Sequence, residues 1–172
     1  MHTHVIISPK YGRVFVHLDD CDADLLEVVT WGAHFVRGGV PHCISRQVGR
    51  SAILLHHEVM KRVHPSIKFD RYVVCDHISG NPFDCTRQNL RVCSNKQNAQ
   101  NRQQKRNSSI RHPGVYFIKE TGRWRALIVP SSGRIHLGVF DTAEEAIVAR
   151  KAAESEHFGE FAFSNRLLTS TN

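Results

Sequence analysis

The stretch Cys75–Arg102 constrains the fold of this chain more than any other part of it. Tyr72–Cys75 is rich in β-branched and apolar residues and predicts a buried strand. A turn-rich loop follows, with Gly80-Asn81-Pro82 as its sharpest signal, and Leu90–Cys93 predicts the returning strand. The next residues begin with a Ser-x-x-Gln capping-box pattern, which predicts a helix over Asn95–Lys105. The expected order is therefore strand, long loop, strand, helix.

Cleavage of a DNA phosphodiester requires a base for water, a Lewis acid and help for the leaving 3′ oxygen. Side chains in this stretch offer a candidate base and candidate ligands for a metal ion that acts as the Lewis acid. His77 is the candidate base, because histidine exchanges protons near neutral pH. Asp76 and Asn98 offer oxygen ligands for Mg²⁺ or Mn²⁺, which keep several waters and need few protein ligands. We therefore predict one ion per site. Asn89 is expected to hold the loop through hydrogen bonds to its backbone.

The adjacency of Asp76 and His77 raises a geometric objection to this site. Neighbouring residues on a strand face opposite ways. Both side chains reach one site only if the strand ends or twists there, and the turn that begins at Ser79 allows for this.

Three segments match a known motif in order: Asp76-His77-Ile78-x-Gly80-Asn81, Asn89-Leu90-Arg91 and Asn95-x-x-Asn98-x-x-Asn101. Together they resemble the HNH nuclease motif in the form found in phage and intron-encoded homing endonucleases. The resemblance implies a ββα-metal fold with Asp76 and Asn98 as metal ligands, His77 as general base and Asn89 as the structural middle residue. It implies site-specific, Mg²⁺-dependent (or Mn²⁺-dependent) hydrolysis of double-stranded DNA to 5′-phosphate and 3′-hydroxyl ends. Cys85 departs from the family, where asparagine is frequent.

The resemblance extends upstream of the core. Leu18-Asp19-Asp20, Leu25-Leu26 and Trp31 are similar to the N-terminal β-rich segment of phage HNH proteins. Leu55-His56-His57 matches a stretch that commonly reads Leu-His-Arg. Two roles stay open for His56: support of the site residues, or packing in the core or at the surface.

The first seventy residues predict short strands and two short helices. A helix is expected to begin at Asp20 or Asp22 and to run to about Thr30. The other expected elements are a hairpin of His4–Ile7 with Arg13–Leu18, a hairpin of Trp31–Arg37 with His42–Arg46, a strand over Ser51–Leu55 and a helix over His56–Val63.

The positive charge of the chain, +7 in all, is concentrated after the candidate site. Residues 99–140 carry eight basic and one acidic side chain, a balance of +7, whereas residues 141–172 carry three and six, a balance of −3. A block of like charges is self-repelling unless it meets a polyanion, so we expect nucleic acid as the partner.

The C-terminal third predicts a three-stranded antiparallel meander over Gly114–Ile118, Arg123–Val129 and Arg134–Phe140, then a helix capped by Asp141 that runs to about Phe158. Five segments match a second known domain in order: Gly114-Val115-Tyr116, Gly122-x-Trp124-Arg125-Ala126, His136-Leu137-Gly138-x-Phe140-Asp141-Thr142, Glu144-Glu145-Ala146 and Phe158-Gly159-Glu160-Phe161-Ala162. They resemble the ethylene-response-factor (Apetala-two) DNA-binding domain. That resemblance implies a sheet laid into the major groove, where arginine pairs with guanine.

Two groups of residues are candidates for DNA contact. The joint between the domains supplies cations that would follow the phosphate backbone: Arg102, Lys105, Arg106 and Arg111. The sheet supplies Tyr116, Arg123, Trp124, Arg125, Arg134 and His136. Trp124 has core packing as an equal alternative, and Arg123 has neutralisation of a phosphate as its alternative.

The expected fold class is α+β. Residues 1–106 would form a β-rich segment plus the nuclease core (about 51–106), residues 107–113 a basic linker and residues 114–172 the DNA-binding domain. The five cysteines include no C-x-x-C pair, so no structural zinc is expected. No secretion signal or membrane-spanning run is visible, which favours a reducing, cytoplasmic compartment in a bacterium or phage-infected host. No small-molecule substrate is expected.

Absence of a heptad pattern favours a monomer. Two other functions stay open beside the homing endonuclease. One is a DNA-binding regulator with an inactive nuclease domain. The other is a low-specificity defence or recombination nuclease.

Overall fold

A computed structural model describes residues 1–36, 39–100 and 112–162 of the chain. In those ranges the fold is α+β, with four small antiparallel sheets and four helices, as expected at this level. No helix in the described ranges is long and apolar enough to cross a membrane. The chain divides into two compact units, Met1–Asn95 and Lys96–Asn172. The linker predicted at 107–113 lies mostly outside the described residues.

The first unit begins with the hairpin of β1 (His2–Ser8) and β2 (Gly12–Leu18), which was expected from the sequence. Alternation along β2 buries Val14, Val16 and Leu18. The helix expected after β2 is shorter than predicted: a 3₁₀ turn at Asp20–Asp22 leads into α1 (Asp24–Glu27).

The predicted N-cap at Asp20 or Asp22 is wrong. The residue before α1 is Ala23, and no side chain caps the helix. The carboxylate of Asp22 instead binds two arginines, which leaves the end of this short helix without a side-chain acceptor.

The remaining elements of the first unit follow the expected order. The predicted second hairpin and the predicted strand after it form one three-stranded sheet, and a helix follows. These elements are β3 (Gly32–Val36), β4 (Val40–Val48), β5 (Ser51–Leu54) and α2 (Leu55–Val63). The central stretch forms β6 (Val73–His77), β7 (Leu90–Ser94) and α3 (Asn95–Gln100), whose last residues carry the chain into the second unit.

One hydrophobic core joins the N-terminal strands to the central stretch. Its buried members come from β1, β2, β4, α2, β6 and the loop that follows β6, and include Val16, Ile44, Leu55, Cys75 and Cys85. The N-terminal segment is therefore part of the same folded body as β6 and β7.

The second unit is a meander of β8 (Val115–Ile118), β9 (Arg123–Ile128) and β10 (Ile135–Phe140), followed by α4 (Ala143–Phe158). Strand β9 is central. Ala146 of α4 packs with Val115 and Ala126 in a small buried cluster.

The N-cap of α4 is not Asp141, as the sequence predicts, but the next residue. Thr142 is the N-cap: its Oγ1 accepts from the Glu145 amide at 3.2 Å, and its own amide donates to the Glu145 carboxylate at 3.3 Å. Asp141 is exposed and pairs with Arg123 at 2.8 Å. Both residues are good caps, and the reciprocal capping box with Glu145 decides between them.

Asp22 holds three segments of the first unit together. Its side chain is fully buried. Arg87, in the loop before β7, donates to it at 2.7 and 2.9 Å, and Arg62 at the end of α2 approaches it at 3.4 Å. The Asp19 carboxylate also accepts from the Arg87 amide at 2.7 Å. Removal of one member of a buried ion pair leaves the other without its counter-charge, which strongly destabilises the fold.

We therefore expect Asp22→Ala to lower the free energy of unfolding by about 3 kcal/mol, because two arginines lose a shared partner. Asp20→Ala is the matched control; this exposed carboxylate pairs with the Met1 amino group, and its loss should change stability by less than about 0.5 kcal/mol. Urea unfolding followed by circular dichroism measures both. Equal effects of the two substitutions would contradict a structural role for the Asp22 network.

Candidate catalytic centre

Strands β6 and β7 place the two central side chains of the candidate site. Their antiparallel register sets Asp76 opposite Arg91 and His77 opposite Leu90. Asp76 is buried, and its Oδ2 accepts from Arg91 Nε at 3.1 Å and Nη2 at 2.8 Å. His77 ends β6 in different surroundings, which fits the alternation of side chains along a strand.

His77 lies between α2 and the loop that follows β6. The ring of His56 stands nearly perpendicular to the His77 ring, with centroids 4.8 Å apart and planes at 73°. Cys85 Sγ lies 3.9 Å from His77 Nε2. Thus one strand, one helix and one loop each contribute to the position of this ring.

His56 is buried in the first turn of α2 and is held in its neutral form. Burial, followed by the neighbouring His77, His57 and His42, lowers the pKa of His56 to about 2. Its Nδ1 is buried and has no hydrogen-bond partner in the part of the chain that the structure describes.

The adjacent His57 also contacts His56: the two rings are perpendicular, with planes at 88° and centroids 4.7 Å apart. The His57 ring stacks on Phe69 at a centroid distance of 4.1 Å. Burial and then Lys61 lower its pKa to about 4.

The loop between β6 and β7 is closed by Asn89, as the sequence predicts. Asn89 Oδ1 accepts from the Ser79 amide at 2.8 Å, and its Nδ2 donates to the Asp84 carbonyl at 2.7 Å. The Ile78 amide donates to the Asn89 carbonyl at 2.8 Å. Asn89 is buried, so it fixes the two ends of the loop against each other.

The loop is also fastened to strand β2. The His17 amide donates to the Phe83 carbonyl at 2.9 Å, and the Cys85 amide donates to the His17 carbonyl at 2.8 Å. Cys85 is fully buried, and burial raises the pKa of its thiol, which therefore stays protonated. The asparagine-to-cysteine difference noted in the sequence thus places a neutral thiol beside His77.

The predicted metal ligands fit Mg²⁺ by donor chemistry. Asp76 supplies a carboxylate and Asn98 an amide oxygen, both hard donors. Asn98 lies on α3 in the second unit, and Asp76 belongs to the first. No cluster of three or more His, Cys, Asp or Glu suited to a metal occurs in the described ranges, although a site of one carboxylate and one amide needs none. The metal assignment stays a prediction.

Arg91 is the residue that the sequence reasoning did not use. The Asn-Leu-Arg triplet contains it, but only the register of β6 with β7 reveals that it meets Asp76. The signal available in advance was its place at the start of the returning strand, fourteen residues after His77 and fifteen after Asp76.

The C-terminal sheet separates the predicted DNA-contact residues by face. Register and alternation place Tyr116, Arg123, Arg125 and His136 on one face, where all four are exposed. Arg134 is exposed just before β10.

Trp124 is not on that face. It is half-buried against the cluster of Val115, Ala126 and Ala146, and its ring lies 4.9 Å from that of Phe117. Of its two predicted roles, the structure shows core packing. The predicted joint contacts, Arg102, Lys105, Arg106 and Arg111, lie outside the described residues.

No protein-family model, curated protein or solved structure matches the chain.

The lowered pKa of His56 predicts acid sensitivity of the first unit. A histidine with a lowered folded-state pKa stabilises the fold fully above about pH 6.5, and this contribution is lost as the pH falls, because the unfolded chain takes up the proton first. Between about pH 7.5 and about pH 5, wild type should lose about 2 kcal/mol more stability than His56→Phe. Urea titrations at both pH values measure this, with His64→Phe as the exposed control. Parallel losses in wild type and His56→Phe would refute it.

Proposed function

We propose that this chain is a site-specific, metal-dependent DNA endonuclease of the HNH homing type. The observation that carries the proposal is the placement of His77 at the end of β6, in a strand, loop, strand and helix whose loop is closed by the Asn89 side chain. A histidine fixed at a strand end beside a carboxylate-bearing neighbour suits activation of water. On this proposal, β6, β7 and α3 are the ββα-metal unit.

The chemical roles follow from the side chains present. His77 accepts the proton of the attacking water, and its ring then carries the positive charge. Asp76 and Asn98 would hold one Mg²⁺ or Mn²⁺, which when bound supplies Lewis-acid stabilisation at the scissile phosphate and the leaving 3′ oxygen. Arg91 orients the Asp76 carboxylate through two hydrogen bonds. The products would carry 5′-phosphate and 3′-hydroxyl ends.

DNA recognition is assigned to the exposed face of the C-terminal sheet. That face carries Arg123, Arg125 and His136 together with Tyr116. The exposed carboxylates of α4 (Glu144, Glu145 and Glu156) lie on the helix, whose buried side packs on the other face of the sheet. A polyanion is attracted to the sheet and repelled by the helix. A sheet read in the major groove, as in the ethylene-response-factor type of domain, is the proposed arrangement.

One observation favours a second candidate, a DNA-binding regulator that does not cut. Oδ2 of Asp76 is already taken by Arg91, a cation that competes with a metal for the same carboxylate. A protein that bound DNA tightly, but left it intact at every Mg²⁺ and Mn²⁺ concentration, would be this regulator.

Cleavage should depend on His77. DNA selected from a random-sequence library by binding to the full chain is cloned into a supercoiled plasmid, and nicking is followed with Mg²⁺ and with a chelator. We expect His77→Ala to slow cutting by about 100-fold or more, because a positioned base contributes about that much. His64→Ala, an exposed histidine on the same unit, should cut like wild type. The mechanism is wrong if His77→Ala cuts at the wild-type rate or if the chelator has no effect.

Binding should depend on the sheet face and not on the helix. Arg125→Ala should weaken binding of the selected DNA about tenfold and reduce the slope of log affinity against log salt by about one, because one phosphate or base contact is lost. Lys151→Ala removes an equally exposed cation from α4 and should leave both quantities unchanged. Fluorescence anisotropy over a salt series measures them. A larger effect at Lys151 would place the DNA on the helix.

A further inference from the structure

The His77 ring is confined by two side chains that have no role in the proposed reaction. His56 presents its ring nearly perpendicular to that of His77 at 4.8 Å, and Cys85 places its sulfur 3.9 Å from Nε2 on another side. Each contact comes from a different element, α2 or the loop after β6, and both elements are anchored in the same core.

Packing alone does not account for a histidine at position 56. The side chain is buried, and its Nδ1 lacks a hydrogen-bond partner among the described residues. A buried polar atom without a partner is unfavourable, so an apolar side chain of similar size would pack there at lower cost. Neighbouring core positions, Leu55 and Val59 on the same helix, are apolar.

A flat ring, in contrast, has a property that a branched apolar side chain lacks. Perpendicular aromatic pairs have a preferred geometry, with the edge of one ring toward the face of the other. A ring fixed in the core therefore restricts rotation of its neighbour about the side-chain torsions. His56 is suited to this because it is buried at the start of a helix that is itself tied down through Arg62 and Asp22.

We propose that His56 is a positioning residue for His77, and that it holds the His77 ring in the orientation needed to accept a proton from water. The expected effect on cleavage rests on the proposed function, whereas the restriction of the His77 ring does not. Cys85 limits the same ring from the Nε2 side. Because a displacement of about 1 Å in a catalytic group costs about 100-fold in rate, release of the ring should be visible in the cleavage step.

The test separates positioning from folding. Single-turnover cleavage of the selected DNA is measured at saturating protein for His56→Ala, His56→Phe and the exposed control His64→Ala, well below the unfolding temperature of each. We expect His56→Ala to slow cleavage at least tenfold with unchanged DNA affinity, and His56→Phe to restore the rate to within about threefold of wild type. His64→Ala, which removes an exposed histidine of the same unit, should cleave normally.

A second measurement does not require cutting. The side-chain couplings of His77, measured by NMR in the full chain, should indicate one rotamer in wild type and in His56→Phe, and averaging in His56→Ala. The proposal is overturned if His77 keeps one rotamer in His56→Ala, or if His56→Ala cleaves bound DNA at the wild-type rate.

The outcomes also separate this inference from the proposed function. If His77→Ala cuts like wild type, the proposed function fails, while the NMR result still decides whether His56 orients the ring. If His77→Ala is inactive and His56→Ala is unchanged in both measurements, only the role of His56 is wrong.

Discussion

The buried carboxylate of Asp22 is the interaction on which the first unit depends. It binds Arg87 in the loop before β7 and lies beside Arg62 at the end of α2. These two segments also carry the groups that flank His77: His56 on α2 and Cys85 in the loop. A salt bridge remote from the candidate base therefore fixes both of the elements that confine it. Ion pairs at the surface contribute little, but a fully buried acid with two partners constrains the backbone that supplies them.

Elements whose signal is local were predictable from the sequence. Alternating apolar residues and glycine-containing turns located β1 with β2 and the meander of β8, β9 and β10, and a helix was expected where α2 lies. The role of Asn89 was also predictable, because a short amide side chain in a turn-rich loop bonds to nearby backbone.

Features that depend on distant partners were not predictable. Asp22 has the residue type of a helix cap, but arginines some forty and sixty-five residues away take its carboxylate. The capping of α4 by Thr142 in place of Asp141 is a choice between neighbours, settled by Glu145. The pairing of Asp76 with Arg91 requires the register of two strands, which neither strand's own pattern fixes.

The ion pair of Asp76 with Arg91 has a further consequence for the chemistry. A buried carboxylate is costly without a partner, and in this chain Arg91 provides one from within the same hairpin. The hairpin therefore holds the Asp76 side chain in place through groups of its own. On the proposed function, Asp76 would offer Mg²⁺ an oriented carboxylate that is shared with the Arg91 guanidinium. On the same proposal, Arg91 would favour preorganisation of Asp76 as a ligand and would oppose tight retention of the ion.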